Sequence, residues 1–250
     1  MDYHLEDFLG LGNIKPIRKA LKASLVNKDS ETCGFFYYKN NFLDYDFMHI
    51  ENKDKYDPNH FVMRSKEFSQ KYIDKHVISL FHSHNDLTDE ALSKTDAEIA
   101  KSLNLPSFVF SVKNKKQNLF YPDNYKPRPL DRRVFIPFFQ DCLIFVKDYY
   151  DLILNIKLTK KVSNWARRGS NTNEDLIQSI EHMFQEVPDK TVKKNDILIH
   201  KPNLYSFFHL SIFIGSNQIY HHPVSAYPVK ELFKPEDMNK VYKVYRYKEV

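Results

Sequence analysis

Two sets of side chains in this sequence are spaced for chemistry. In the first, His82-Ser83-His84 closes the apolar run Val77-Ile78-Ser79-Leu80-Phe81. Such a run reads as a strand. Residues i and i+2 of a strand share a face, so both imidazoles can reach one metal ion. Twelve residues after His84, Asp96 falls in the first turn of an expected helix, three after Ser93, and that spacing puts the two on one helical face. Two histidines and a carboxylate, with one position open, make a catalytic zinc set. Glu31, in Glu31-Thr32-Cys33-Gly34, is then the candidate general base, and Ser93 the candidate donor to an oxyanion. Chance also produces His-x-His pairs, and Ser-x-x-Asp at a helix start is commonly no more than a cap.

The second set is Cys142, His209 and His221. Asp141-Cys142 opens an apolar helical stretch, and a thiol at a helix N-terminus is expected to have a lowered pKa. His209 begins the strand His209-Leu210-Ser211-Ile212-Phe213-Ile214. Gly215-Ser216-Asn217 turns the chain, and Gln218-Ile219-Tyr220-His221 returns. In an antiparallel hairpin the two histidines fall nearly opposite each other. Nucleophile, base and orienting residue would then form a Cys-His-His triad. Against this stands the commoner fate of a free cysteine, burial in a core.

The elements around these residues divide into two groups. Helices are expected over Pro16 to Asn27, with Ile17, Leu21 and Leu25 on one face, over Ser65 to Asp74, with Phe68 and Tyr72 inward, and over Ser93 to Leu103. Strands are expected over Cys33 to Tyr38, Phe42 to His49, Val77 to His82 and Ser107 to Val112. Tyr121 to Leu130 carries three prolines and no regular period, and reads as a linker. Beyond it, helices are expected over Asp141 to Asn155 and Asn173 to Glu186. Strands follow over Asp196 to His200, Phe208 to Ile214, Gln218 to His222 and Val241 to Tyr247. The fold class is α+β, with domains at 1–122 and 131–250 joined by a linker at 123–130.

Composition narrows the field. The 250 residues are 42% hydrophobic with a formal net charge of +5 spread along the chain, so a nucleic-acid surface is not expected. The acidic start, Met1-Asp2-Tyr3-His4-Leu5-Glu6-Asp7, lacks a signal-peptide pattern. The longest mostly apolar run, Tyr205 to Gly215, is too short to span a bilayer and contains His209. A soluble protein made in a cytoplasm, with no membrane span, is expected. Cys33 and Cys142 lie in different expected domains, which argues against a disulfide.

Residues 14 to 113 resemble the JAMM (MPN-type) metallopeptidases, whose pattern is an upstream Glu, His-x-His, seven residues, then Ser-x-x-Asp. Asn52, Pro58, Phe61 and Leu105-Pro106 extend the likeness. It implies an α/β sandwich with zinc on His82, His84 and Asp96, Glu31 as base and Ser93 as oxyanion donor. Here eight residues separate His84 from Ser93, and Asn85 stands where the family usually has proline. Pro129 to His222 resembles the NlpC-type cell-wall peptidases, with Asn195-Asp196 in place of their Gly-Asp. That likeness implies a papain-like domain with Cys142 as nucleophile, His209 as base and His221 as orienting residue. The order of the two, together with Pro129-Leu130-Asp131-Arg132-Arg133, Phe138-Phe139-Gln140 and Asp148-Tyr149-Tyr150, is similar to the tail-tip assembly protein K family of lambda-like phages. The resemblance implies a virion tail-tip peptidase, made in the host cytoplasm and acting at the bacterial cell wall or periplasm on the peptidoglycan stem peptide, among other tail-tip and hub proteins. A structural tail-tip component with one or both sites inactive is the alternative.

Overall fold

The computed structural model describes residues 15–27, 30–39, 44–52, 65–85, 92–113, 116–137, 139–158, 183–201, 209–224 and 226–248. The chain divides into two compact units, with the boundary between Pro127 and Arg128. Each unit combines helices with a β-sheet, so the class is α+β. The proline-rich stretch holds neither helix nor strand from Tyr121 to Pro129, and a 3₁₀ turn, Leu130–Arg132, follows it. Among the described residues, no helix is long and apolar enough to cross a membrane.

The first unit contains α1 (Lys15–Val26), β1 (Cys33–Tyr38), β2 (Tyr45–Ile50), α2 (Lys66–Ile73), β3 (Val77–His84), α3 (Lys94–Leu103), β4 (Ser107–Ser111) and β5 (Lys116–Phe120). The sheet order is β2-β1-β3-β4-β5. Only the β3–β4 pair is parallel, with α3 as the crossover between them. All eight residues of β3 are buried, as befits a central strand covered on both faces. One face carries an aromatic layer of Phe36, Phe47, Phe81 and Phe108, with ring centroids 5.2 to 6.0 Å apart. The alternate residues Cys33, Phe35 and Leu80 pack under Phe68 of α2 and Ile99 and Leu103 of α3. His82 and His84 continue the row begun by Leu80, so the helix-covered face is also the face of the histidines.

Two expectations for this unit need correction, and one strand was not foreseen. Leu25 is 42% exposed, and the inward stripe of α1 is Ile17, Ala20, Leu21 and Ser24. Tyr72 is exposed, held by its hydroxyl, which donates to the Leu103 carbonyl, and by stacking on Phe68 at 5.9 Å. Strand β5, whose polar Lys-Gln-Asn start hid it, forms an edge of the sheet. Gly34 is required where it stands: a Cβ there would lie 2.3 Å from the Met48 carbonyl oxygen and 2.7 Å from the Phe47 ring.

The second unit contains α4 (Cys142–Leu154), β6 (Phe184–Glu186), β7 (Ile197–His200), β8 (His209–Gly215), β9 (Gln218–His221), β10 (Val229–Leu232) and β11 (Val241–Tyr247). The sheet order is β10-β9-β8-β7-β11-β6, antiparallel throughout. Phe145, Tyr149 and Tyr150 of α4 pack on Ile197, Ile199, Leu210, Ile212 and Tyr220. Leu198, Phe213, Ile219 and Val244 form a second cluster at alternate strand positions. The expected helix over Asn173 to Glu186 falls mostly outside the described residues. Its end is corrected: Phe184–Glu186 is a strand paired with β11, and Phe184 packs edge-on to Tyr150 at 5.3 Å. Strand β10 was also missed.

The residues that carry the resemblance before and inside α4 have structural tasks. Arg133, 1% exposed, donates to Asp148 at 2.6 Å and to the carbonyls of Arg128 and Pro129. The Tyr149 hydroxyl donates to the Asn195 side chain, and the Tyr150 hydroxyl to the Asn195 carbonyl. Asn195 itself has φ 74°, the left-handed region that glycine takes most easily, and asparagine stands in for it. Asp196 accepts from the Lys193 amide and pairs with Arg246 at 2.7 Å.

Candidate functional site

In the first unit, β3 and the N-terminus of α3 bring His82, His84 and Asp96 together, each with a ligand atom within 4.8 Å of the others. His82 Nε2 lies 3.1 Å from His84 Nε2 and 3.4 Å from Asp96 Oδ2. Ligands at zinc distances in a tetrahedral set sit about 3.3 Å apart, and the two separations from His82 match that spacing. The triad can therefore hold a metal ion. Ser93 caps α3 and fixes Asp96. Its hydroxyl donates to Asp96 Oδ2 at 2.6 Å, its amide donates to the same oxygen at 3.1 Å, and its Oγ accepts from the Asp96 amide. Burial alone would raise the Asp96 pKa, but His82 and then Ser93 outweigh it and hold the carboxyl at about 2. Asp96 is thus an anion ready for a cation.

Glu31 is 2% exposed, just before β1. Cys33 pairs with His82 in the β1–β3 ladder, and the Ser83 amide donates to the Thr32 carbonyl. One further step sets Glu31 level with His84, and level residues on antiparallel strands share a face. The Cys33 thiol registers this carboxylate: burial, then Glu31, pushes it up to about 12. Asn85 makes a connection that proline could not. Its amide donates to the carbonyls of Asn27 and Ser30, and its Oδ1 accepts from Ser83, whose Oγ in turn accepts from the Thr32 amide. The segment leading to Glu31 is thereby tied to the end of β3.

In the second unit, His209 Nε2 and His221 Nδ1 meet at 2.6 Å across β8 and β9. The ladder pairs His221 with Ser211, so His209 lies two residues from the position directly opposite and reaches His221 diagonally. Cys142 opens α4, partly exposed, and packs on the cluster that includes Leu210. The Leu210 amide, one residue from His209, steadies its thiolate form. Among the described residues, no hydrogen bond joins Cys142 to His209.

The expected lowering of the Cys142 pKa is corrected. Burial first, and then Asp141, pushes the thiol up to about 12. Asp141 caps the helix by accepting from the Leu143 and Ile144 amides, and its negative charge beside the thiol adds to burial, while the Leu210, Cys142 and Leu143 amides pull the other way without offsetting it. The histidines shift the other way. Burial, then His221 and the other nearby imidazoles, holds His209 well below its ordinary value. Burial also lowers His221, although Glu231 pulls it up.

Two groups were not singled out from the sequence. His200 Nε2 contacts Ser211 Oγ at 2.7 Å, and its ring lies 5.8 Å from that of His209. Glu231 of β10 stands 3.3 Å from His221 Nε2. The His200–His209 pairing follows from the β7–β8 register and was visible only once that register was known. Compared with known proteins, the sequence matches no family model and no curated protein.

Proposed function

We propose that this protein is a two-domain peptidase of a phage tail tip, with a JAMM-type zinc peptidase first and an NlpC-type cysteine peptidase second. The observation that carries the proposal is that each motif closes on itself inside its own compact unit: His82, His84 and Asp96 at ligand separations, and His209 on His221 beside the strand that receives Cys142. The substrate class is the peptidoglycan stem peptide, and the place of action the bacterial cell wall.

In the cysteine site, the Cys142 proton passes to His209 as Sγ attacks the scissile carbonyl. The C–N bond breaks, the leaving amine takes that proton back, and a thioester remains. His209 then takes a proton from water, which attacks the thioester and frees the acid and the thiol. Because the thiol is pushed up to about 12, proton transfer accompanies attack and no standing thiolate is held. In the metal site, zinc on His82, His84 and Asp96 supplies Lewis acidity toward a substrate carbonyl. Glu31 accepts a proton from the attacking water. Ser93 keeps Asp96 oriented and, with its proton turned away from Asp96, donates to the substrate oxyanion.

One observation favours a second reading. A raised thiol without a hydrogen bond to His209 suits a structural tail-tip protein whose cysteine site is inactive. Metal analysis and iodoacetamide labelling of the purified protein separate the two. About one zinc per chain and Cys142 labelling that depends on His209 support the peptidase. No divalent metal after zinc is supplied, together with labelling indifferent to His209, overturns it in favour of the structural role.

A further inference from the structure

We propose that Glu231 is a positioning residue of the cysteine site: its carboxylate fixes the tautomers of His221 and His209, so that the free lone pair of the dyad falls on His209 Nδ1. The inference rests on the cysteine-peptidase reading for what that lone pair does, though not for where it lies.

The argument is one of valence along three neighbouring strands. Strand β10 pairs with β9, placing Val229 opposite His221 and Glu231 opposite Ile219. Glu231 and Val229 therefore share a face with His221, and the carboxylate reaches it diagonally, Oε2 to Nε2, at 3.3 Å. The contact is an ion-pair separation and not an aligned hydrogen bond, and through its charge the carboxylate favours the tautomer with the proton on His221 Nε2. A neutral imidazole has one N–H, which leaves His221 Nδ1 as an acceptor. The 2.6 Å contact to His209 Nε2 must then carry its proton on His209. His209, also neutral, is left with Nδ1 bare, and that atom is the one able to take a proton from Cys142.

Among the described residues, Glu231 is the group placed to select this direction. In the reverse arrangement His221 Nδ1–H donates to His209 Nε2, and His209 carries its proton on Nδ1, where it blocks the thiol. The remaining groups near the dyad do not choose. His200 on β7 is engaged with Ser211, and burial first holds it at about 4, with His221, Asp237 and Lys240 acting on it as well. His222 is buried between Phe135 and Phe145 and is lowered to about 3 by burial and then by Arg133. Both are neutral near pH 7.

The test is a long-range ¹H–¹⁵N spectrum of the histidine rings in the full chain, beside iodoacetamide labelling of Cys142. In the wild type, His209 and His221 should both carry the proton on Nε2. Glu231→Ala should mix the tautomers and slow Cys142 labelling at pH 7 by roughly tenfold. Glu231→Lys, a donor only, should invert the chain so that His209 carries Nδ1–H. Glu231→Gln, neutral but still able to accept, should retain most of the wild-type labelling. The Glu231 side chain is 54% exposed, so these variants leave the core intact. A wild-type His209 with its proton on Nδ1, or spectra unchanged in Glu231→Ala and Glu231→Lys, overturns the proposal. Failure of the cysteine-peptidase reading has a different signature: wild-type labelling no faster than His209→Ala, whatever the spectra give.

Discussion

The two sites differ in how far apart their parts lie along the chain and in the charge they favour. The metal-type triad takes two residues from β3 and one from the first turn of α3, and the cap that forms the turn also aims the carboxylate. Its donors already stand at ligand separations, and its acid is held ionised at about 2. The cysteine site draws on α4, β8, β9 and β10, which only the packing of the second unit brings together. There the imidazoles are held neutral and the thiol protonated. One site can hold a cation. The other keeps its thiol and imidazoles neutral between the carboxylates of Asp141 and Glu231, and suits a proton that moves only during reaction. Local spacing suffices for the first kind of site, whereas the second depends on the quality of a core.

The strongest way to break the comparison is to remove one nucleophile. Cys142→Ser should lower stem-peptide cleavage by roughly 10³-fold or more. Metal content, measured by elemental analysis, should not change, because the triad lies in the other unit. A fall in both would mean that the sites are not independent.

The next largest effect concerns packing. Arg133→Ala leaves buried Asp148 with only the longer Lys147 contact at 3.3 Å among its two ion pairs and should destabilise the second unit by about 3 kcal/mol in denaturant titration. Cys142 labelling should change with it, while the melting of the first unit stays put. A loss under about 1 kcal/mol would show that the ion pair is not what fixes the start of α4.

Acid should also tell the units apart. His200 and His222 are held at about 4 and about 3, and His209 lower than its ordinary value, so the unfolded chain takes up protons that the folded unit refuses. Their contribution is full above about pH 6.5 and is lost as pH falls toward 4. The slope is about 1.4 kcal/mol per pH unit for each histidine that stays neutral. Hydrogen exchange at pH 7 and pH 5 should show the second unit opening first. Equal loss in both units would contradict the shifts.

The smallest effect belongs to the cap. Ser93→Ala removes the N-cap of α3 and should cost about 1 kcal/mol. Zinc affinity, by chelator competition, should fall roughly tenfold, because Asp96 loses its orienting hydroxyl. Unchanged affinity would mean that the α3 backbone alone sets the carboxylate.

What could be read from the sequence follows the same division. The strand before His82-Ser83-His84, the cap at Ser93 and the helix opened by Asp141 were legible, because period and capping chemistry are local. Glu231 was not, since β10 is a short, exposed edge strand with little apolar pattern. The rise of the Cys142 pKa was also hidden. The helix-end argument leaves out the burial of the thiol and the charge of Asp141 beside it, and these outweigh the helix amides. The inward face of α1 was misjudged at Leu25 because the helix meets the sheet along a narrower stripe than its hydrophobic residues suggest.

Only 5 of the 250 residues are glycine, and the two that are described, Gly34 and Gly215, hold their places for different reasons, space at the first and a positive φ at the second. Gly34 answers to space, since any side chain would strike the β2 backbone. Left-handed backbone, by contrast, is widely entrusted to other residues: Lys75, Asn104, Asn155, Lys190, Asn195, Ser216 and Asn217 all have positive φ. A chain drifting toward lysine and asparagine can surrender its conformational glycines at small cost each, but not a steric one. The protein therefore carries latent thermal headroom at its helix ends and turns. Lys75→Gly should raise the melting temperature, and Lys190→Gly less so, because Lys190 Nζ also donates to the Val241 carbonyl.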